Sequence, residues 1–223
     1  MTELYIGYKK TNQIVLKDGK VFLNMQELQK IKNNTYNLNQ DTRLKLFSEN
    51  EEHLDEKTLA MLTVTDTKNI PVPTDLIYTI SNNVRGYIYP RKEDKEDIRT
   101  SKMRKIVDDL TKLKEDAIIL GKKGIYIGHL TKYNTENLQV IDPSALKKVH
   151  NNSNQTMKNI SEINDYYLRT VFNGDKSLEK ALIQDYKKTG YLYFGDYLEE
   201  TAPKYCTVEE YEKNLPKILR IGR

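Results

Sequence analysis

The chain has a single cysteine, Cys206, no tryptophan, and three histidines, His53, His129 and His150, that lie far apart. One thiol rules out an intramolecular disulfide and a cysteine-based zinc site, and no His-x-x-x-His or Cys-x-x-Cys pair occurs. No Gly-x-Ser-x-Gly marks a serine nucleophile, and Cys206 sits between Tyr205 and Thr207 with no sequence-level base beside it. Long hydrophobic runs are missing too. None approaches the roughly 18 apolar residues of a membrane span, and Met1-Thr2-Glu3-Leu4 opens with neither a basic nor an apolar leader segment. The expectation is a chain without membrane contact, made in a host cytoplasm and either kept there or carried into a virion.

An excess of one charge is also lacking. Charged residues make up 30% of the 223, but 36 Lys plus Arg against 32 Asp plus Glu leave only +4, so the self-repulsion of a disordered polyelectrolyte is absent. Apolar residues reach 38%, low but enough for a chain that buries roughly 70% of its extended surface. What is abundant is Lys (28 against 8 Arg), Asn (19) and Tyr (16), the bias of an AT-rich genome: a low-GC bacterium, or a phage or plasmid living in one. The Asn-x-Ser/Thr triplets beginning at Asn33, Asn151, Asn154 and Asn159 follow from that composition.

The pattern along the chain predicts an α+β protein: short antiparallel hairpins, one long central helix at about 101–120, and a more helical C-terminal part. Ile14-Val15-Leu16 and Val21-Phe22-Leu23 flank Asp18-Gly19, a pair that supplies the positive φ of a tight hairpin turn, so Leu4 to Leu23 reads as a hairpin. Asn24 and Glu27 form a capping-box-like start to a short helix carrying Met25, Leu28 and Ile31, ended by Asn33-Asn34 and followed by a polar stretch to Asp41. Ser48 and Glu51 predict a second helix through Met61. Ile70-Pro71-Val72-Pro73 is extended because each proline disfavours α in its predecessor, and it reads as a linker or a strand edge. Leu76–Ile80 and Val84–Tyr89 flank Ser81-Asn82-Asn83 as another hairpin, ended by Pro90.

Met103, Ile106, Leu110, Leu113, Ala117 and Leu120 recur at spacings of 3, 4, 3, 4, 3, a heptad seam, with Gly121 placed to stop the helix. The seam is read either as the core face of a helix lying on a sheet or as a helix for self-association or a partner. Strands are expected at Gly124–Leu130 and Leu138–Ile141 around a turn at 133–137. Asp142-Pro143 starts a short helix running into the linker-like Asn151–Gln155. Helices Met157–Phe172 and Leu178–Lys188 each precede a glycine, and Thr207 with Glu210 caps a final one. The expected domains are 1–70, 74–150 and 156–223, the last two either separate or continuous.

Few residues offer chemistry. Glu52, Asp55 and Glu56 around His53 read as a solvated acidic face before a divalent-ion site. Asp18-Gly19-Lys20 matches a nuclease tripeptide but lacks a second carboxylate, and Gly121-Lys122-Lys123-Gly124 follows a helix, the wrong order for a phosphate loop. Tyr87 and Tyr89 with Arg91, Lys92, Lys102, Arg104 and Lys105 could stack bases and meet phosphates, although Glu93, Asp94, Glu96 and Asp97 cancel much of that field. With no catalytic, cofactor or metal constellation in the sequence, the leading expectation is a non-enzymatic structural or assembly protein. It would act through protein–protein contacts as a homo- or hetero-oligomer, such as a neck, tail or baseplate component of a bacteriophage of a low-GC Gram-positive host. Tyrosine suits interfaces, and 8 of the 16 fall after residue 150. The alternative is a nucleic-acid-binding accessory or regulatory protein.

Overall fold

The computed structural model describes residues 4–6, 14–17, 20–23, 25–26, 28–32, 34–48, 53–91, 100–128, 130, 135–136, 139–140, 142–149, 154–171, 180, 183–185, 187–188, 190, 193–202 and 206–221. The fold is α+β, as expected. The chain forms two compact units, one of 1–67 with 71–93 and one of 68–70 with 94–223. This division differs from the expected segments because the strands after Pro73 pair with the N-terminal ones.

The first unit is an eight-stranded antiparallel sheet: β1 Leu4–Ile6, β2 Ile14–Lys17, β3 Lys20–Leu23, β4 Gln29–Lys32, β5 Thr35–Asn37, β6 Thr42–Leu46, β7 Asp75–Thr79 and β8 Val84–Pro90, in the order β2-β3-β1-β7-β8-β6-β5-β4. The first hairpin forms with Lys17 opposite Lys20, and the Asn82 turn joins β7 to β8 with its φ at 61°. The helix expected from Asn24 does not form. Gln29–Lys32 is an edge strand, and Asn34, at φ 58°, is part of the turn to β5. Asparagine tolerates this left-handed conformation better than most residues, so Asn34 turns the chain into a hairpin where a helix end is expected from the sequence. The helix predicted from Ser48 starts later: α1 is Glu56–Thr63, capped by Asp55, whose carboxylate accepts from the Thr58 amide at 2.9 Å.

Alternation along the strands gives this sheet a core on each face. Leu44, Ile77 and Ile88 join Leu23, Leu28 and Leu38 on one side; on the other, Leu59 of α1 lies over Leu76, Tyr87 and Tyr89.

The second unit is built around α2, Met103–Lys122. All six seam residues are buried, at most 2% exposed, inside this unit's own core, so the core reading of the heptad holds and the seam is not an exposed interface. Packed on α2 are α3 (Gln155–Val171), α4 (Phe194–Thr201) and β9 (Ile125–Ile127), which pairs with β12 (Leu146–Lys148). Strands β10 (Thr135–Glu136) and β11 (Gln139–Val140) form a separate ladder, so part of the expected turn at 133–137 is strand. The Asp142-Pro143 start gives only a single 3₁₀ turn before β12.

Gly121 does not end α2. The helix runs on to Lys122, and the left-handed residue is Gly124, at φ 72°. Gly121 instead permits close packing: a Cβ there would sit 2.6 Å from the Thr156 Cα on α3. Gln155, expected in a linker, is the first residue of α3 and is 1% exposed. The segment 151–153 lies outside the described residues. The capping box closes as predicted at α5 (Val208–Ile221), with Thr207 N to Glu210 at 2.9 Å and Glu210 N to Thr207 Oγ1 at 3.2 Å. Among the described residues no helix is long and apolar enough to cross a membrane.

Candidate functional site

The buried polar side chains of the second unit organise it. Asp116, fully buried on α2, accepts from the backbone amides of Lys68, Asn69 and Ile70 at 2.8, 2.7 and 2.8 Å, which fastens that excursion of the chain to the helix. Asn159, fully buried on α3, donates to the carbonyls of Ala117 and Ile125 and accepts from the Ile127 amide and from Gln155 Nε2. One side chain thus joins α2, α3 and β9. Asn164 accepts from the Phe194 amide at 2.9 Å and seats the start of α4. A buried polar group is tolerated when its bonds are made, and these groups make theirs largely to backbone.

Two concavities lie on this unit. A groove of about 330 Å³ runs between α2 and α4. Met103, Leu198 and Ala202 are buried beneath it, Val107 is half-buried, and Arg104, Asp108 and Glu199 are exposed around it. A second cleft, about 390 Å³, is lined by Tyr126 on β9, Val149 after β12, and Gln155, Lys158, Ser161 and Glu162 along α3. Here the Glu162 carboxylate accepts from the Tyr126 hydroxyl at 3.2 Å and from the Leu130 amide at 3.1 Å. Burial first, and then that carboxylate, push the Tyr126 phenol above its ordinary value. Gln155 Oε1 is buried and accepts no hydrogen bond.

The residues singled out for nucleic acid are divided between the two units. Tyr87 and Tyr89 are buried in the first unit at 5% and 1% exposure, packed edge-on at 5.8 Å, so neither is open to a stacking base. Arg91 is half-buried in the same unit, and Lys92 lies outside the described residues. Lys102, Arg104 and Lys105 are exposed at the N-terminal end of α2. Tyr87, Tyr89, Tyr193, Tyr197 and Tyr211 are buried, and Tyr36, Tyr78, Tyr126 and Tyr166 are half-buried. Burial pushes Tyr197 above the ordinary phenol range and Tyr211 up to about 12.

His53 is exposed and stacks on Phe47 at 4.1 Å, and Asp55 is engaged as a cap; among the described residues no three His, Cys, Asp or Glu are grouped to hold a metal ion. Burial, and then Glu210, raise the Cys206 thiol above its ordinary value. Neither a scan of protein-family models nor a search of curated proteins returns a match.

Sequence reasoning missed Gln155, Asn159 and Glu162. Their spacing of 4 and 3 places them along one helical stripe beside the apolar Ile160 and Ile163, a polar line that points inward only once α2 and β9 are in place.

Proposed function

We propose that the chain is a non-enzymatic structural or assembly protein acting through protein–protein contacts, a virion component such as a neck, tail or baseplate part of a bacteriophage of a low-GC Gram-positive host. The observation that carries this reading is the groove between α2 and α4. Half-buried Val107, above the buried Met103, Leu198 and Ala202, is open to a partner inside a rim of Arg104, Asp108 and Glu199, an arrangement that suits a protein contact with an apolar point at its centre and polar groups around it. Two acids, Asp108 and Glu199, against one base, Arg104, suit a partner segment that carries an apolar anchor beside a basic residue. The Lys-, Asn- and Tyr-rich composition supports the source. The test is molar mass by light scattering, alone and after co-expression with the products of neighbouring genes. Species larger than one 26.1 kDa chain that are lost in Val107→Glu support the assignment, and a lone 26.1 kDa species throughout counts against it.

The second reading, nucleic-acid binding, has one observation in its favour. Lys102, Arg104 and Lys105 surround the N-terminus of α2, whose first turn holds no acid, so the helix dipole adds to their field. A salt-sensitive gel shift with random DNA is its signature.

A further inference from the structure

Hydrogen-bond bookkeeping in the α3 cleft leaves one oxygen over. Asn159 Nδ2 donates to two carbonyls, Ala117 at 3.2 Å and Ile125 at 2.9 Å, and this sets the orientation of its amide. Its Oδ1 accepts from the Ile127 amide at 2.9 Å and from Gln155 Nε2 at 3.1 Å. Gln155 must therefore present its nitrogen to Asn159, and turning the amide over would set oxygen against oxygen. Gln155 is 1% exposed, and its Oε1 is left buried with no donor. A buried acceptor left unmet is costly to the fold. Such a group at the wall of a cleft is where a ligand's donor completes the set.

Two more groups on the same face are uncommitted. Lys158 and Ser161 follow Gln155 at intervals of three along α3, both are exposed, and neither the Lys158 ammonium nor the Ser161 hydroxyl has a partner among the described residues. Glu162, one turn from Lys158, does not pair with it, because its carboxylate is turned to Tyr126 and Leu130. The cleft therefore offers a cation and a hydroxyl to an anion and, about 4.5 Å along the axis from Lys158 and about 9 Å from Ser161 by the helical rise, an acceptor to a donor.

We propose that the cleft formed by Tyr126, Val149, Gln155, Lys158, Ser161 and Glu162 binds a small ligand that carries a carboxylate or phosphate next to an ammonium group. The anion sits on Lys158 and Ser161 and the ammonium donates to Gln155 Oε1. The terminal torsion of a glutamine is soft, so a small turn of the amide brings Oε1 to the cleft with Nε2 still on Asn159.

The test is calorimetric titration of the full chain with O-phosphoethanolamine, γ-aminobutyrate and inorganic phosphate. Saturable binding of either amine-bearing probe, weakened at least tenfold in Lys158→Ala and in Ser161→Ala, supports the proposal. The preferred probe tells phosphate from carboxylate. Both substitutions are on exposed positions and leave the fold intact, checked by far-UV circular dichroism. Phosphate binding as tightly as the amine-bearing probes overturns the role of Gln155. No saturable binding by any probe, or binding unchanged in both variants, overturns the site. Val107→Glu, in the other groove, leaves probe binding as it is, so this result stands apart from the assembly test.

Discussion

Removing the Asp116 carboxylate tests whether one buried group anchors residues 68–70 to the second unit. Three backbone amides converge on it at 2.7–2.8 Å across 46 to 48 residues of sequence. In Asp116→Ala these donors lose their acceptor. Asn69 and Ile70 are buried, at 6% and 0% exposure, so their amides cannot turn to water, whereas exposed Lys68 can. At about 1–3 kcal/mol for each stranded donor, plus a small cavity, the expected loss is about 3–5 kcal/mol. That is a large part of the roughly 5–15 kcal/mol that holds a domain folded. Asp116→Asn keeps the volume and one carbonyl oxygen, and about 1–3 kcal/mol is expected. Without tryptophan the assay is urea unfolding followed by far-UV circular dichroism, paired with native-state hydrogen exchange at the three amides and trypsin cleavage after Lys68. If Asp116→Ala costs less than about 1 kcal/mol and amides 68–70 exchange no faster than in the parent, the anchoring argument is wrong.

Three further outcomes follow from the same geometry. Gly121→Ala gains up to about 1 kcal/mol of helix propensity but drives a methyl to 2.5 Å from Thr156 Oγ1 and 2.6 Å from its Cα, so a net loss of about 1–2 kcal/mol is expected in urea melts; a neutral or stabilised variant would contradict the close packing of α2 on α3. Tyr197 and Tyr211 are held neutral by burial, Tyr211 up to about 12, so their contribution is complete below the ordinary phenol pKa and is lost as pH rises from about 10 towards 12. Tyrosinate absorbance should therefore show a late, unfolding-linked fraction, and simple titration of every tyrosine near pH 10 is the opposing result. The raised Cys206 thiol should react with a disulfide reagent at pH 8 more slowly than free glutathione, and a rate equal to or above glutathione's contradicts its burial.

Where local chemistry acted alone, the sequence was readable. Thr207 and Glu210 close their box, Asp142 caps the turn at Pro143, and the Asn82 turn joins two strands, because each device needs only neighbours within four residues. The region 24–48 was misread because Asn33-Asn34 serves equally as a helix end or a hairpin turn, and Met25, Leu28 and Ile31 fit a helical face as well as a loop and edge strand. Pairing with β5, which itself pairs with β6, decided it. The tyrosines show the same limit for function. Tyr87 and Tyr89 alternate on one strand in either case, but composition does not tell a face covered by α1 from one open to a partner.

By itself, then, the sequence determined the α+β class, the long amphipathic helix and the caps at Asp142 and at Thr207 with Glu210, since periodicity and capping are properties of a few adjacent residues. Only the tertiary structure decided that β7 and β8 belong with the N-terminal strands, that the heptad seam closes on its own unit, and that Gln155, Lys158 and Ser161 line one cleft. Those outcomes depend on which surfaces meet across tens of residues. A polar stripe on α3 becomes a buried network with one unmet acceptor only when Ala117, Ile125 and Ile127 are brought against it.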